Sequence, residues 1–357
     1  MSYVKHMKRI ILPASVILLT LLLTACLKPD PIDNMTAATV TLIDVLETGG
    51  YARDVSAYDN KIFVAASAAG TQIWEDDNGV VSKVFNHQFG SASATGLRVE
   101  PEFQLILSVS KDQGYLRQLN SDLSAFDSVY INFPGVLIGE SEHFGDQNTR
   151  DMASTKVNDS LLVLYNTDTD LGDGLRFTFL NRFTDGLDGY YYWVANTIKK
   201  YTGAKNYGID ANGSLVASSH GELGVGLYRI EHDYCDTLGV IDTGGEALEV
   251  KIYDNYLLVA DNWAGMQVLS IGAGDSSLTH LADVEVGGWV KHISMWNDLA
   301  VLSCGENGMF LVDLSDPGAP KVDQAIDAGY TYSSFISGDM IHAATREGVK
   351  RYHIENR

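Results

Sequence analysis

Gly244-Gly245-Glu246-Ala247-Leu248-Glu249-Val250-Lys251-Ile252-Tyr253-Asp254-Asn255 is a second copy of Gly49-Gly50-Tyr51-Ala52-Arg53-Asp54-Val55-Ser56-Ala57-Tyr58-Asp59-Asn60. The register holds past the shared Tyr-Asp-Asn without a gap, with Val64-Ala65 against Val259-Ala260 and Ala69-Gly70 against Ala264-Gly265. A third copy begins at Gly287-Gly288-Trp289-Val290, turns at Asn297-Asp298 and reaches Gly308 before Met309-Phe310-Leu311-Val312-Asp313-Leu314. Each copy holds an apolar strand, a polar turn, a second apolar strand and a glycine that opens a third, which is a meander of antiparallel strands. The marker glycines Gly70, Gly114, Gly174, Gly226, Gly265, Gly308 and Gly348 imply seven such units. One unit cannot bury both of its faces; stacked radially, each covers its neighbour, and the result is a β-propeller. The rival, an open β-solenoid, needs shorter coils and capping ends.

The two ends of the repeat array bear on closure. The last unit has strands near Tyr330 to Ile336, Met340 to Ala344 and Val349 to Ile354, then stops one strand short, while residues 39–46 form an unassigned strand at the other end. The expected fold is therefore all-β, a seven-bladed propeller of four-stranded antiparallel blades in which the N-terminal strand completes the last blade. That arrangement also removes two exposed sheet edges. The 34 glycines and 7 prolines, with short Val/Ile/Leu runs between turns, fit this reading, and no long amphipathic pattern competes with it.

Three units resemble the LVIVD-repeat family of bacterial and archaeal cell-surface propellers. The resemblance lies at Leu257-Leu258-Val259-Ala260-Asp261, at Gly265-Met266-Gln267-Val268-Leu269-Ser270-Ile271, and at Gly308-Met309-Phe310-Leu311-Val312-Asp313-Leu314-Ser315-Asp316-Pro317-Gly318-Ala319-Pro320. The last stretch is similar to that family's Gly-Leu-x-Ile-Val-Asp-x-Ser-Asp-Pro-x-x-Pro signature. Units two to four depart from it. The resemblance implies a propeller at a cell surface and carries no active site.

Before the repeats, Lys5, Lys8 and Arg9 precede an apolar run from Ile10 to Leu23, the pattern of a signal peptide. It is shorter than the about 20 residues a spanning helix needs. Leu23-Thr24-Ala25-Cys26 resembles the bacterial lipobox, which implies cleavage before Cys26 and a lipid on its sulfur. The expected organisation is residues 1–25 as lipoprotein signal peptide, 26–37 as lipidated tether and 38–357 as one propeller domain. Leu27, where an aspartate would retain the product in the inner membrane, points to the outer membrane of a Gram-negative cell, so the membrane is the first expected partner.

The formal charge is −21, and removal of residues 1–25, which hold three cations and no acid, takes it to −24. Such a surface disfavours nucleic acid as a partner. Cys235 and Cys304 fall in units that are not neighbours, which favours two buried thiols over a disulfide.

Candidate sites follow from the repeat. Propellers bind at the mouth of the central channel, where every unit contributes a loop and an inner strand. Aligned copies put Arg53-Asp54, Leu248-Glu249 and Lys291-His292 at equivalent inner positions, with Arg98, Arg150-Asp151, Asn206 and Tyr332 nearby in the weaker copies. The candidate channel-mouth site is Arg53, Asp54, Arg98, Asn206, Glu249, Lys291 and His292, a mixed ring suited to a polar ligand or a metal, or else ordinary solvated lining. Oxygen-bearing residues alternate at Asn166, Asp168, Asp170 and Asp173, as in a calcium loop, but no glycine follows Asp170 and Phe177 stands where the twelfth-position glutamate belongs. An Asp/Gly-rich turn is the alternative. Tyr190-Tyr191-Tyr192-Trp193 is either an exposed aromatic platform or the packed face of an outer strand. His220-Gly221-Glu222 reads as a turn.

No Gly-x-Ser-x-Gly elbow, His-Glu-x-x-His pair or phosphate-binding glycine loop occurs. The expected function is that of a lipid-anchored envelope propeller binding or scaffolding a protein or glycan partner. The alternative is a metal-dependent envelope enzyme, lactonase-like or glycan-processing, with its site at the channel mouth.

Overall fold

The computed structural model describes residues 39–88, 93–110, 113–132, 139–141, 149–159, 161–168, 174–184, 190–231, 234–274 and 277–355. Strand β1 (Thr39–Leu46) comes first. Blade one is β2 (Asp54–Tyr58), β3 (Lys61–Ala65), β4 (Thr71–Asp77) and β5 (Val80–His87). Blade two is β6 (Ala94–Glu100), β7 (Leu105–Ser110), β8 (Gln113–Leu119) and β9 (Phe126–Asn132), with β10 (Gly139–Ser141) beside β9. Blade three is β11 (Met152–Lys156), β12 (Leu161–Asp168), β13 (Gly174–Thr184) and β14 (Tyr190–Tyr201); blade four is β15 (Ile209–Asn212), β16 (Leu215–Ser219), β17 (Val225–Ile230) and β18 (Cys235–Ile241). Blade five is β19 (Glu249–Tyr253), β20 (Tyr256–Ala260), β21 (Met266–Ile271) and β22 (Leu278–Val284); blade six is β23 (His292–Trp296), β24 (Leu299–Ser303), β25 (Met309–Asp313) and β26 (Lys321–Ile326). Blade seven is β27 (Thr331–Ser337), β28 (Met340–Thr345), β29 (Gly348–Glu355) and, on its outer edge, β1. The seven-bladed propeller closed by the N-terminal strand is thus the observed fold.

The apolar runs that read as continuous do so because second strands are buried on both faces. Leu257, Leu258, Val259 and Ala260 are all sealed from solvent. Side chains alternate across the strand, so Leu258 and Ala260 pack toward blade six with Ile293, Leu302 and Phe310. Leu257 and Val259 pack with Ala217 and Leu227 of blade four. The shared Tyr-Asp-Asn is the first hairpin turn. Asp59 and Asp254 adopt φ of 50° and 48°, and Asn297 takes the same place at 50°, a conformation these side chains tolerate.

The marker glycine opens the third strand against the end of the fourth. At Gly265 (φ 88°) a Cβ would collide with the Val284 carbonyl, and at Gly348 (φ 124°) with that of Leu46 on β1. In blade four the residue with this role is Gly224, not Gly226, because its φ is positive and its missing Cβ faces the Ile241 carbonyl. Blades two and three depart further. Their outer strands join where β14 runs parallel to β9, Tyr192 against Ile131. Tyr192 is fully buried and its hydroxyl donates to the Phe103 carbonyl, so this member of the aromatic run packs rather than presenting a platform. Cys235 on β18 and the buried Cys304 are free thiols in different blades.

Closure rests on β1 pairing antiparallel with β29 from Thr39 opposite Glu355 to Leu46 opposite Val349. Arg351 of β29, its side chain 3% exposed, grips Asp44 of β1 through Nε to Oδ1 at 2.7 Å and its terminal nitrogen to Oδ2 at 2.6 Å, and also binds Asp76 of blade one. One guanidinium ties together the closing strand, the last blade and the first. Replacing it leaves two half-shielded carboxylates side by side. An Arg351→Met variant is therefore expected to lose about 2–3 kcal/mol of stability, read as a lower urea midpoint; a midpoint equal to wild type contradicts this role.

Candidate functional site

Every inner strand has one edge paired in its own blade and one edge facing the axis. Together they enclose a channel of about 750 Å³ lined by all seven blades. First strands begin, and second strands end, at one end of this channel, which we term the mouth. The second-to-third-strand turns and the connections between blades therefore form the mouth face. There the turn of one blade bridges the segment leading into the next, as Ser67 with Ala94, Gly221 with Ala247, Asn262 with Val290 and Gly305 with Thr331.

The sequence-aligned ring is real at three positions. Asp54, Glu249 and His292 pair with Ala65, Ala260 and Ser303 at equivalent points of β2, β19 and β23. Asp151 and Ser333 occupy the same place in blades three and seven, while blades two and four carry Gly96 and Gly208. These side chains do one job: each reaches the inner strand of the neighbouring blade. Asp54 Oδ2 accepts the amide of Leu97 at 2.9 Å, Asp151 Oδ2 that of Ile209 at 3.0 Å, and Glu249 Oε2 that of Ile293 at 3.2 Å. His292 Nδ1 accepts the Ser334 amide at 3.4 Å, and the Ser333 hydroxyl donates to Asp54 Oδ1 at 2.7 Å.

Where glycine stands at that position, the residue two further on takes over. After Gly96, Arg98 Nε donates to Ser154 Oγ at 3.1 Å; after Gly208, Asp210 Oδ2 accepts the Ile252 amide at 2.9 Å. All seven junctions are thereby stitched. The sequence reading left these groups open between a ligand site and ordinary lining; in the structure the polar atoms of Asp54, Glu249, His292 and Arg98 bond across the blade junctions. Asn206 is corrected outright. It precedes the equivalent position by two residues, is fully buried, and binds the carbonyls of Gly174 and Ala204 and the Ser218 hydroxyl.

The channel charges are partly self-neutralised. Lys251 Nζ lies 3.2 Å from Glu249 Oε1, and Arg98 lies 3.5 Å from Glu100 and 3.6 Å from Asp210. Burial pushes Glu249 up to about 7 despite Lys251. Burial, reinforced by the charge of Glu249, lifts Asp151 to about 6. Burial lowers His292 to about 4, so it is neutral at pH 7; with Nδ1 accepting, its proton sits on Nε2, 3.6 Å from Glu249 Oε1. Among the described residues no three His, Cys, Asp or Glu converge as a metal-ligand set. The calcium-loop positions Asp170 and Asp173 lie outside the described residues, and Asn166 and Asp168 are described only as backbone of β12.

One residue before the ring the character changes. Arg53, Arg150, Tyr207, Lys291 and Tyr332 form a rim of cations over aromatic rings. The Arg53 guanidinium lies 4.1 Å from the Tyr332 ring centre and Arg150 lies 4.7 Å from Tyr207. Lys291 Nζ donates to the Tyr330 hydroxyl at 3.1 Å, and Arg346 stacks 3.9 Å from the Tyr330 ring. Among the described residues none of these four cations forms a salt bridge. Arg53 and Lys291 therefore line the channel opening, whereas Tyr330 and Arg346 were not among the sequence candidates. Their signal was the residue following the glycines that lead into each unit: Tyr51, Glu246, Trp289 and Tyr330 are equivalent, because each immediately precedes the small residue that meets the preceding blade's turn.

Residues 244–285 match the sequence model of the LVIVD repeat. No curated protein matches the chain. Among solved structures, the chain is similar to the WD40 repeats of RRP9 at 12% identity, with a TM-score of 0.63 over 90% of this chain and 99% of that one. It is similar also to the computationally designed Ika8 protein at 10% identity, with a TM-score of 0.58 over 87% of this chain and 98% of that one. At such identities the likeness is one of fold.

The raised carboxylates set a pH dependence. The folded state holds protons on Glu249 and Asp151 that the unfolded chain has released, so their contribution to stability falls as pH climbs from about 4 to about 7. His292 acts in the opposite sense between about 4 and 6.5. The difference between wild type and Glu249→Gln isolates the first effect. Gln keeps an acceptor for Ile293, so the variant should gain on wild type by on the order of 2–3 kcal/mol between pH 4.5 and 7.5 in urea unfolding. A difference independent of pH contradicts the assignment.

Proposed function

We propose that this protein is a lipid-anchored binding or scaffold module of the cell envelope that engages an envelope protein or glycan through the mouth face of its propeller. One observation carries the reading: the ring side chains are committed to stitching blades together, whereas among the described residues the rim cations Arg53, Arg150 and Lys291 form no salt bridge. In a chain of formal charge −21, Arg53, Arg150 and Lys291 gather at one opening without a salt bridge among the described residues, an arrangement suited to receive an acidic group there.

The direction of the closing strand bears on the proposed anchor. β1 runs toward the mouth, since Leu46 lies at the second-to-third-strand turn of blade seven and Thr39 lies beside Glu355 at the far end. Eight extended residues span about 25 Å. The strand thus enters from the face opposite the mouth, which supports a reading in which a lipid on Cys26 lies on that side and the mouth is presented to partners.

Two measurements test this reading. A Cys26→Ser chain should leave the membrane fraction with an unchanged melting temperature; persistence in the membrane removes the anchor. Cross-linking in intact cells should capture a reproducible partner that an Arg53→Ala, Arg150→Ala double variant loses by about tenfold, while its stability stays within about 1 kcal/mol of wild type. Capture unaffected by those changes removes the mouth as the binding surface.

A further inference from the structure

Beside the channel mouth, between blades five, six and seven, lies a separate cleft of about 660 Å³. Its walls include Trp263, Trp289, Lys291, Tyr330 and Arg346, with Glu306 the one carboxylate among the described residues. Among the described residues, no Leu, Ile, Val, Met or Phe lines it. The volume is that of a small-molecule site, but the lining is aromatic and charged rather than aliphatic.

The two tryptophans are placed by the repeat. Asn262 and Val290 exchange backbone hydrogen bonds of 3.1 and 3.0 Å across the junction of blades five and six. Trp263 follows one partner and Trp289 precedes the other, so they are cross-strand neighbours on this two-residue bridge. They remain 48% and 59% exposed, which is far more than packing would leave. The Gly287-Gly288 turn that carries Trp289 is pinned by Asn307, whose Nδ2 donates to the Gly287 carbonyl at 3.0 Å. The indoles are therefore held on a preorganised backbone.

The cations are held in a way that leaves them available. The Arg346 guanidinium carbon lies over the Tyr330 ring at 3.9 Å from its centre, and Tyr330 meets Tyr332 at 4.6 Å, over which Arg53 lies at 4.1 Å. Stacking uses the face of a guanidinium, whereas hydrogen bonding to a carboxylate uses its edge. Arg346 gives Nε to the Tyr332 hydroxyl at 3.4 Å, its two terminal nitrogens make no hydrogen bond among the described residues, and Glu306 acts on it through charge without a salt bridge. Lys291 adds a second charge 5.4 Å from the Tyr330 ring centre.

We infer that this cleft binds a carboxylated saccharide, a uronic-acid-type residue within a glycan. The inference rests on the binding-module reading and names its ligand class. The apolar faces of a pyranose suit exposed indoles, its carboxylate suits the open edge of Arg346 beside Lys291, and its hydroxyls suit Glu306 and Asn307. A peptide would instead need aliphatic pockets or a free strand edge, and the lining supplies no aliphatic side chain.

The test uses the full-length Cys26→Ser chain, with tri-galacturonic acid, its neutral galactose counterpart and an oligo-glutamate peptide as probes in calorimetric titration. The uronate should bind, and the neutral trisaccharide and the peptide should each bind at least about tenfold more weakly. Trp289→Ala and Arg346→Ala should each weaken uronate binding by about tenfold or more without moving the melting temperature. No uronate binding up to about 10 mM overturns the inference, as does equal binding of the peptide or binding unmoved by both variants. If uronate fails while cross-linked capture still depends on Arg53 and Arg150, the saccharide assignment falls and the binding-module reading stands; if both fail, the reading falls with it.

Discussion

The free edge of the inner strand governs this molecule. A blade's first strand has amides that face the axis with no strand beside them, and an unpaired amide enclosed by protein costs as much as a lost hydrogen bond. Each blade answers by sending one side chain from its own inner strand to the next blade's amide or hydroxyl. The chemistry varies around the ring, with Asp54, Arg98, Asp151, Asp210, Glu249, His292 and Ser333 taking the seven places. The geometric demand is the same each time, and the channel composition follows from it.

That constraint separates two kinds of charge which look alike in a sequence. Asp54 and Glu249 are held by backbone amides, and Glu249 also by Lys251, and burial favours their protonated forms. Arg53 and Arg346, a short distance away on the mouth face, are braced by aromatic rings, and Arg346 also gives Nε to the Tyr332 hydroxyl. A group engaged in holding the ring together cannot be released to a ligand without loosening a junction. The mouth face has no such obligation, and the closing strand leads the chain to it from the opposite side.

Much of the fold was legible because the repeat writes its physics into residue types. The turn needs a left-handed residue, hence Asp59 and Asp254; the third strand needs room beside a carbonyl, hence Gly265 and Gly348; the second strand is covered on both faces, hence Leu257-Leu258-Val259-Ala260. Closure was legible because a strand was missing at one end and spare at the other. Less was legible where the copies diverge. Gly226 stood in for Gly224 because both lie near the turn and only backbone conformation distinguishes them. Asn206 looked like a ring member, yet it sits two residues early and points into the blade junction. Aligned copies locate equivalent positions; they do not show that two glycines in the ring pass their task to Arg98 and Asp210. The Trp263 and Trp289 pair escaped notice because their adjacency arises from a bridge between different blades.

The ring of side-chain acceptors is tested most directly by native-state hydrogen exchange at the amides of Leu97, Ile209, Ile252, Ile293 and Ser334, compared with amides of the buried strand β20. These five amides face a channel open to solvent, and nothing else in their own blades pairs them. If the neighbouring side chains hold them as described, they should exchange only through opening of the whole ring, with protection close to that of Leu258 and Val259. Exchange as fast as that of the hairpin turn at Asp59 and Asn60 would contradict the account.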